Sequence, residues 1–118
     1  MNILYLEDSE PDVRLVHQYM RSVNHQFQSV VSIDEARQQL RQRHPDIFLV
    51  DIVIGKEMAY DLIEEVARQK LSKHIVAVTA KALPADQKRC FELGCDRVLA
   101  KPFTIDELES TLEQLSQE

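Results

Sequence analysis

Acidic, hydroxyl and basic side chains stand directly after short apolar segments at several places in this sequence. The residues concerned are Glu7, Asp8, Asp51, Thr79 and Lys101. If the apolar segments are parallel strands of one sheet, their carboxyl ends share an edge, and these side chains converge there. Three carboxylates at one edge repel each other, so one must take up a proton unless a cation lies among them.

A hard divalent cation is the natural partner for such a cluster. Magnesium prefers oxygen ligands and keeps several waters, so it needs only one or two carboxylates from the protein. We predict Asp8 and Asp51 as direct ligands, with the backbone carbonyl of Val53 completing the protein's share and Glu7 just outside the coordination sphere. A phosphoryl group would then fit the remaining charges, with one oxygen on Lys101, one on the Thr79 hydroxyl and one on the metal.

Each of these residues also has an ordinary structural explanation. Glu7 and Asp8 suit a helix-capping acidic cluster, and Asp51 suits a turn after a strand. Thr79 is a common strand residue, and Lys101 is of the type most often found as a surface charge. What favours a site is the coincidence of all of them at the ends of predicted strands.

The segments that must position these side chains alternate between strand and helix patterns. Apolar or β-branched runs predict strands over 2–6, 27–31, 47–51, 75–79 and 97–100. Helices are predicted between them, with capping boxes beginning at Ser32 and Thr104, a second helix running through Arg43, and Gly94 closing the fourth. The first helix carries Val13, Val16, Met20 and Val23 at helical spacing, the last carries Ile105, Leu108, Leu112 and Leu115, and Gly55 marks a loop.

This alternation predicts an α/β fold, a parallel sheet with helices on both faces, formed as one domain over residues 1–118. The net charge of −6 does not favour a nucleic-acid partner, and no apolar run is long enough to span a membrane. The apolar N-terminus lacks the basic leader of a signal peptide, so a cytoplasmic protein is expected. Two cysteines are too few for a disulfide framework, and we expect both to be reduced and partly buried.

The set Glu7-Asp8, Asp51, Thr79-Ala80 and Lys101-Pro102-Phe103 resembles the receiver domain of two-component response regulators, most of all the single-domain type of chemotaxis and phosphorelay systems. The similarity covers the whole chain. It implies a flavodoxin-like, doubly wound, five-stranded sheet of strand order 2-1-3-4-5. It also implies a cis bond between Lys101 and Pro102.

The resemblance further implies that Asp51 accepts a phosphoryl group from a histidine kinase or a histidine phosphotransfer protein, with Mg²⁺ required. Lys101, Thr79 and the Ala80 N–H would neutralise the moving group, and the acyl phosphate would later hydrolyse. The protein would thus catalyse only its own phosphorylation and dephosphorylation. The added charge would pull Thr79 inward and change the face made by the fourth helix, fifth strand and fifth helix. A downstream protein, not yet identified, would bind that face, and a homodimer is left open.

The sequence departs from the family pattern in several places. Val98 stands where the family usually has an aromatic switch residue, three positions before the lysine. After Asp51, Gly55 replaces a usual proline, and Met58-Ala59 replaces an Asp-Gly pair. Val53 and Lys81 occupy positions that tune the access of water to the acyl phosphate, and the branched apolar Val53 predicts slow hydrolysis.

Two other classes of function are alternatives to a phosphoacceptor. The departures at Val98 and after Asp51 would suit an adaptor that keeps the receiver fold as a docking module and works without phosphorylation. An enzyme on a flavodoxin-like sheet is disfavoured, because a flavin site needs a phosphate-binding loop where Glu7 and Asp8 stand. An aspartyl phosphatase is also disfavoured, because it would need a second Asp at the position of Val53.

Overall fold

Five parallel strands form the central sheet of the computed structural model, which describes residues 1–117. They are β1 (Asn2–Leu6), β2 (Gln26–Val30), β3 (Ile47–Asp51), β6 (His74–Thr79) and β7 (Arg97–Ala100). Their order in the sheet is β2-β1-β3-β6-β7, and every neighbouring pair is parallel. Numbered among themselves, these strands have the order 2-1-3-4-5, so the prediction of a doubly wound α/β fold is confirmed.

Helices cover both faces of this sheet. They are α1 (Glu10–Ser22), α2 (Ile33–Gln42), α3 (Tyr60–Gln69), α4 (Pro84–Leu93) and α5 (Ile105–Ser116). Buried residues of α2, α3 and α4 form one apolar cluster with Leu4, Phe48 and Val50 of the sheet. Buried residues of α1 and α5 form a second cluster on the opposite face, around Tyr5 and Leu49. β3 is buried along its whole length, which is why it reads as an unbroken apolar run.

A small hairpin after β3 was not predicted. It consists of β4 (Val53–Ile54) and β5 (Glu57–Met58), paired antiparallel, where the sequence indicated only a loop around Gly55. Gly55 lies in the turn with φ +60°, a left-handed conformation that glycine adopts without steric cost. The hairpin follows directly from the strand that carries Asp51, so it shapes the surroundings of that residue.

Some predicted boundaries were wrong by a residue or two. Val23 does not continue the buried stripe of α1, because the helix ends at Ser22 and Val23 is exposed. The second strand begins and ends one residue earlier than predicted and leaves Val31 exposed, and Arg43 is the C-terminal cap of α2, not its last residue. At Ser32 only half of the capping box forms: the hydroxyl accepts from the Glu35 N–H, but the Glu35 carboxylate receives the N–H of Val31.

The predicted ends of the last two helices agree with the structure. Gly94 caps α4 with φ +117°, and a β-carbon placed there would lie 2.5 Å from the Cβ of Ala67 on α3. The absence of a side chain therefore lets α3 and α4 approach closely at this point. Thr104 begins α5 with a complete capping box with Glu107. None of the helices within residues 1–117 has both the length and the apolar character needed to cross a lipid bilayer.

Candidate functional site at the carboxyl edge of the sheet

Asp51, the last residue of β3, lies at the carboxyl edge of the sheet and is 6% exposed. One carboxylate oxygen, Oδ1, accepts the backbone N–H of Val53 at 3.1 Å. The other, Oδ2, accepts from the Lys101 ammonium at 2.5 Å. A carboxylate held at both oxygens points in one direction, and here it points towards the loops that follow the neighbouring strands.

Lys101 reaches this edge from the loop after β7. Its backbone N–H donates to the Thr79 carbonyl at 2.8 Å, and its bond to Pro102 is cis, as the family resemblance implied. Besides Asp51, its Nζ donates to Glu7 Oε2 at 2.7 Å and to Asp12 Oδ2 at 3.1 Å. An ammonium has three N–H donors, so the three carboxylates use all of them.

Glu7 is the most deeply placed acid of the group, with only 1% of its surface exposed. Burial, and then a hydrogen bond shared with Asp51, raise the pKa of Glu7 to about 7, although Lys101 acts in the opposite direction. Burial alone would lower the pKa of Lys101, but its hydrogen bonds to Asp51 and Glu7 raise that pKa above its ordinary value. The ammonium is therefore charged at neutral pH, and the acids around it still carry more negative charge than it can balance.

The hairpin after β3 contains Val53 and contacts Asp8. Asp8 is exposed, and its Oδ2 accepts the N–H of Gly55 at 2.8 Å. In the hairpin Ala59 donates to the carbonyl of Ile52 at 2.8 Å, so the next pair, Val53 and Met58, is a non-hydrogen-bonded pair. The N–H and C=O of such a residue point away from the partner strand. Since the Val53 N–H points to Asp51, its carbonyl is directed to the same side.

Thr79 ends β6 and is buried, but its hydroxyl is engaged with the following loop. Its Oγ1 accepts the Lys81 N–H at 3.0 Å and donates to the Lys81 carbonyl at 3.3 Å. Ala80, next in sequence, is exposed and borders a cavity of about 310 Å³ that is also lined by Asp12 and Lys101. The structure thus places Thr79 and Ala80 at the same edge as the acids, with the hydroxyl turned towards the loop.

Val98, the residue at the position of the usual aromatic switch, lies in β7. It is half-buried and packs against the apolar cluster beneath α2, α3 and α4. A branched aliphatic side chain in this position fills core volume and has no ring that could exchange a buried for an exposed position.

The chemistry of the donor set fits a divalent cation. Glu7, Asp12 and Asp51 share one ammonium, and Asp8 stands at the same edge, so acids outnumber the available positive charge. Burial is the main cause of the raised pKa of Glu7, and the neighbouring Asp51 adds to it. Among residues 1–117 no three His, Cys, Asp or Glu side chains are arranged to hold a metal ion by themselves. Magnesium does not require such a cage, because water completes its coordination.

Two residues of this group were missed by reasoning from sequence. Asp12 lies in the first turn of α1, four residues after Asp8, and Tyr5 donates its hydroxyl to Glu7 Oε2 at 3.3 Å. Burial, with the charge of Glu7, raises the pKa of Tyr5, so the phenol remains a donor. The one available signal for Asp12 was its place in the first turn of the helix that follows Glu7 and Asp8, because that turn begins at the edge where β1 ends.

Comparison with known proteins identifies the group to which this arrangement belongs. The family model for the response regulator receiver domain matches residues 3–113. The chain is 31% identical over 112 residues to the sensor histidine kinase RcsC of Escherichia coli (strain K12), covering 95% of this chain but only 12% of that protein. It is 25% identical over 114 residues to the polar-differentiation response regulator DivK of Brucella ovis, covering 95% of this chain and 93% of that one.

Solved structures show the same fold. The receiver domain of the sensor histidine kinase PA1611 from Pseudomonas aeruginosa superimposes with a TM-score of 0.86 at 25% identity, over 99% of this chain and 98% of that one. That structure contains a magnesium ion coordinated in its active-site cleft.

Proposed function

This chain belongs to the response regulator receiver family, and we propose that it is a single-domain phosphoacceptor, spanning residues 1–118, whose nucleophile is Asp51. The observation that carries the proposal is the contact of the buried Asp51 carboxylate with the Lys101 ammonium, from opposite halves of the chain, at the carboxyl edge of the sheet. The match to DivK along nearly its whole length supports a free-standing domain. The match to RcsC covers a small part of that kinase and supports only the receiver activity.

In the proposed reaction an oxygen of Asp51 attacks the phosphorus of a phosphohistidine on a histidine kinase or phosphotransfer protein. The new O–P bond forms as the P–N bond breaks, and the electron pair of that bond goes to the imidazole nitrogen. Lys101 gives up one of its three carboxylate contacts to bind a phosphoryl oxygen, and the Thr79 hydroxyl leaves Lys81 to bind another. Ala80, an exposed residue, lines the space in which the group would lie, and its N–H would contact the group there.

Mg²⁺, if bound as proposed by Asp8, Asp51 and the Val53 carbonyl with Glu7 behind them, would neutralise charge on the phosphoryl oxygens. The direction of the Val53 carbonyl and the excess of acids support this assignment, and the magnesium in the PA1611 receiver domain supports it by analogy. Phosphorylation would then change a face for a downstream protein through the movement of Thr79.

The test is phosphorylation by acetyl phosphate with Mg²⁺, followed by intact mass. The wild-type protein should gain one phosphoryl group, and Asp51→Asn should gain none. Asp61→Asn, which changes an exposed acid on α3, is the matched control and should behave as the wild type. Uptake by Asp51→Asn at the wild-type rate would move the nucleophile to another residue.

A second candidate, an adaptor that works without phosphorylation, is favoured by Val98, whose packing leaves no aromatic ring to report the state of the site. Titration with beryllium fluoride and Mg²⁺, followed by amide NMR, separates the two. Large shifts at Thr79 and Lys101 support the phosphorylation switch. Unchanged spectra at saturating reagent would support the adaptor.

A further inference from the structure

Asp12 is the one acid at the Lys101 ammonium that does not lie at the end of a strand. It is in the first turn of α1, and its carboxylate is 41% exposed, whereas those of Glu7 and Asp51 are 1% and 8% exposed. It also borders the cavity beside Ala80, on the open side of the site. Asp12 therefore stands between the buried acids and the direction from which a phosphoryl group would enter.

The Lys101 ammonium has no free donor in this arrangement, because Asp51, Glu7 and Asp12 each accept one hydrogen bond. A phosphoryl oxygen can be bound by Lys101 only when one of these bonds is given up. The bonds to Asp51 and Glu7 are shorter and better shielded from water than the bond to Asp12. The bond to Asp12 is therefore the one that an incoming phosphoryl oxygen displaces most easily.

Asp12 also acts on the incoming group directly. A phosphoryl donor is an anion, and Asp12 places a partly exposed negative charge at the mouth of the site, paired within residues 1–117 with Lys101 alone. Like charges at this range repel, and the repulsion weakens as salt is added. Asp12 thus hinders binding of a phosphoryl donor in two ways: it competes for Lys101, and it repels the donor.

We propose that Asp12 is a positioning residue that holds the Lys101 ammonium in the resting protein and opposes the entry of phosphoryl groups not delivered by a partner. This inference rests on the proposed phosphoacceptor function, and it adds that Asp12 slows phosphorylation by small donors. A small anionic donor must overcome both the competition and the repulsion. A protein partner that covers the mouth of the site can offset them with contacts of its own.

The variants that test this are Asp12→Asn, which removes the charge and keeps the shape, and Asp12→Glu, which keeps the charge. Glu10→Gln is the matched control, since Glu10 is an acid in the same first helical turn that pairs with Arg14 and not with Lys101. Both Asp12→Asn and Glu10→Gln remove a favourable charge from the helix N-terminus, so an effect of helix stability would appear in both.

Initial rates of phosphorylation are measured against acetyl phosphate concentration with saturating Mg²⁺. Asp12→Asn should need about three- to tenfold less donor for half-maximal rate, in line with one partly screened charge contact. The difference should shrink at high salt, and Asp12→Glu and Glu10→Gln should stay near wild type. An unchanged or higher half-saturating concentration in Asp12→Asn overturns the inference, and so does an equal gain in Glu10→Gln.

A second readout does not depend on phosphorylation. The ¹⁵N signal of the Lys101 ammonium, recorded without donor, should shift or broaden in Asp12→Asn and not in Glu10→Gln. If the wild-type protein takes up no phosphate, the proposed function fails, and this signal alone then decides whether Asp12 holds Lys101. An unchanged signal in Asp12→Asn refutes the inference even where phosphorylation proceeds normally.

Discussion

Replacing Lys101 by methionine should destabilise the protein strongly at alkaline pH and in the absence of divalent metal. The substitution keeps an unbranched side chain but removes the ammonium from between Glu7, Asp12 and Asp51. Two of these carboxylates are at least nine-tenths buried and would be left beside each other without a counter-charge. Breaking a buried ion pair by removing one partner costs about 3–5 kcal/mol. Because the Asp12 carboxylate is 41% exposed, water screens part of the repulsion, and we expect a loss of about 2–4 kcal/mol at pH 8.

The loss should depend on pH with a definite sign. The pKa of Glu7 is already raised from 4.5 to about 7 in the folded protein, and removal of Lys101 takes away a group that lowers it. A carboxyl group whose folded pKa lies above its unfolded value destabilises the fold only when it is ionised. The penalty is therefore absent below the unfolded pKa and complete above the folded one. The deficit of Lys101→Met should shrink as pH falls from 8 to about 5.

The assay is urea unfolding followed by circular dichroism, in buffer with a chelator, at a series of pH values. Lys88→Met is the control, because Lys88 lies on α4 with 78% of its side chain exposed, and its ammonium is 3.9 Å from the Glu92 carboxylate. It should cost less than about 0.5 kcal/mol at every pH. If Lys101→Met is as stable as Lys88→Met at pH 8, the ammonium does not balance the acids, and the electrostatic account of the site is wrong.

Three further predictions concern other parts of the molecule. Gly94→Ala should lower the free energy of unfolding by about 2–4 kcal/mol, because of the positive φ and the clash with Ala67. In the double variant, Ala67→Gly should recover part of that loss. If the two substitutions are strictly additive in urea unfolding, the clash with Ala67 does not contribute. Val53→Ala should shorten the lifetime of the phosphorylated protein several-fold by admitting water, measured by mass after donor removal; a wild-type half-life of seconds would contradict slow hydrolysis. Burial raises the pKa of both cysteine thiols, Cys90 and Cys95, so iodoacetamide should label neither in the native protein at pH 8 and both after unfolding; rapid native labelling would show that one is accessible.

The strands that carry the site could be predicted from sequence because burial on both faces leaves a plain signal. The run ending at Asp51 and the β-branched run ending at Thr79 have no polar interruption, and both are fully buried in the structure. The rule that parallel strands end at one edge then placed Asp51 and Lys101 together across fifty residues. The hairpin after β3 gave no comparable signal, because its strands have two residues each and their side chains, Ile54 excepted, are exposed.

The sequence pattern did not predict where the side chains of the site point. Thr79 lies at the expected strand end, yet its hydroxyl is bonded to the backbone of Lys81, a local contact that threonine side chains commonly make. Asp12 escaped notice for a related reason. Strand ends alone do not define the edge of the sheet, because a helix that begins at the same edge places its own first turn beside the site. An acid in the first turn of that helix is therefore a candidate for contact with the lysine, and in this chain Asp12 makes the contact, with 3.1 Å between its Oδ2 and Lys101 Nζ.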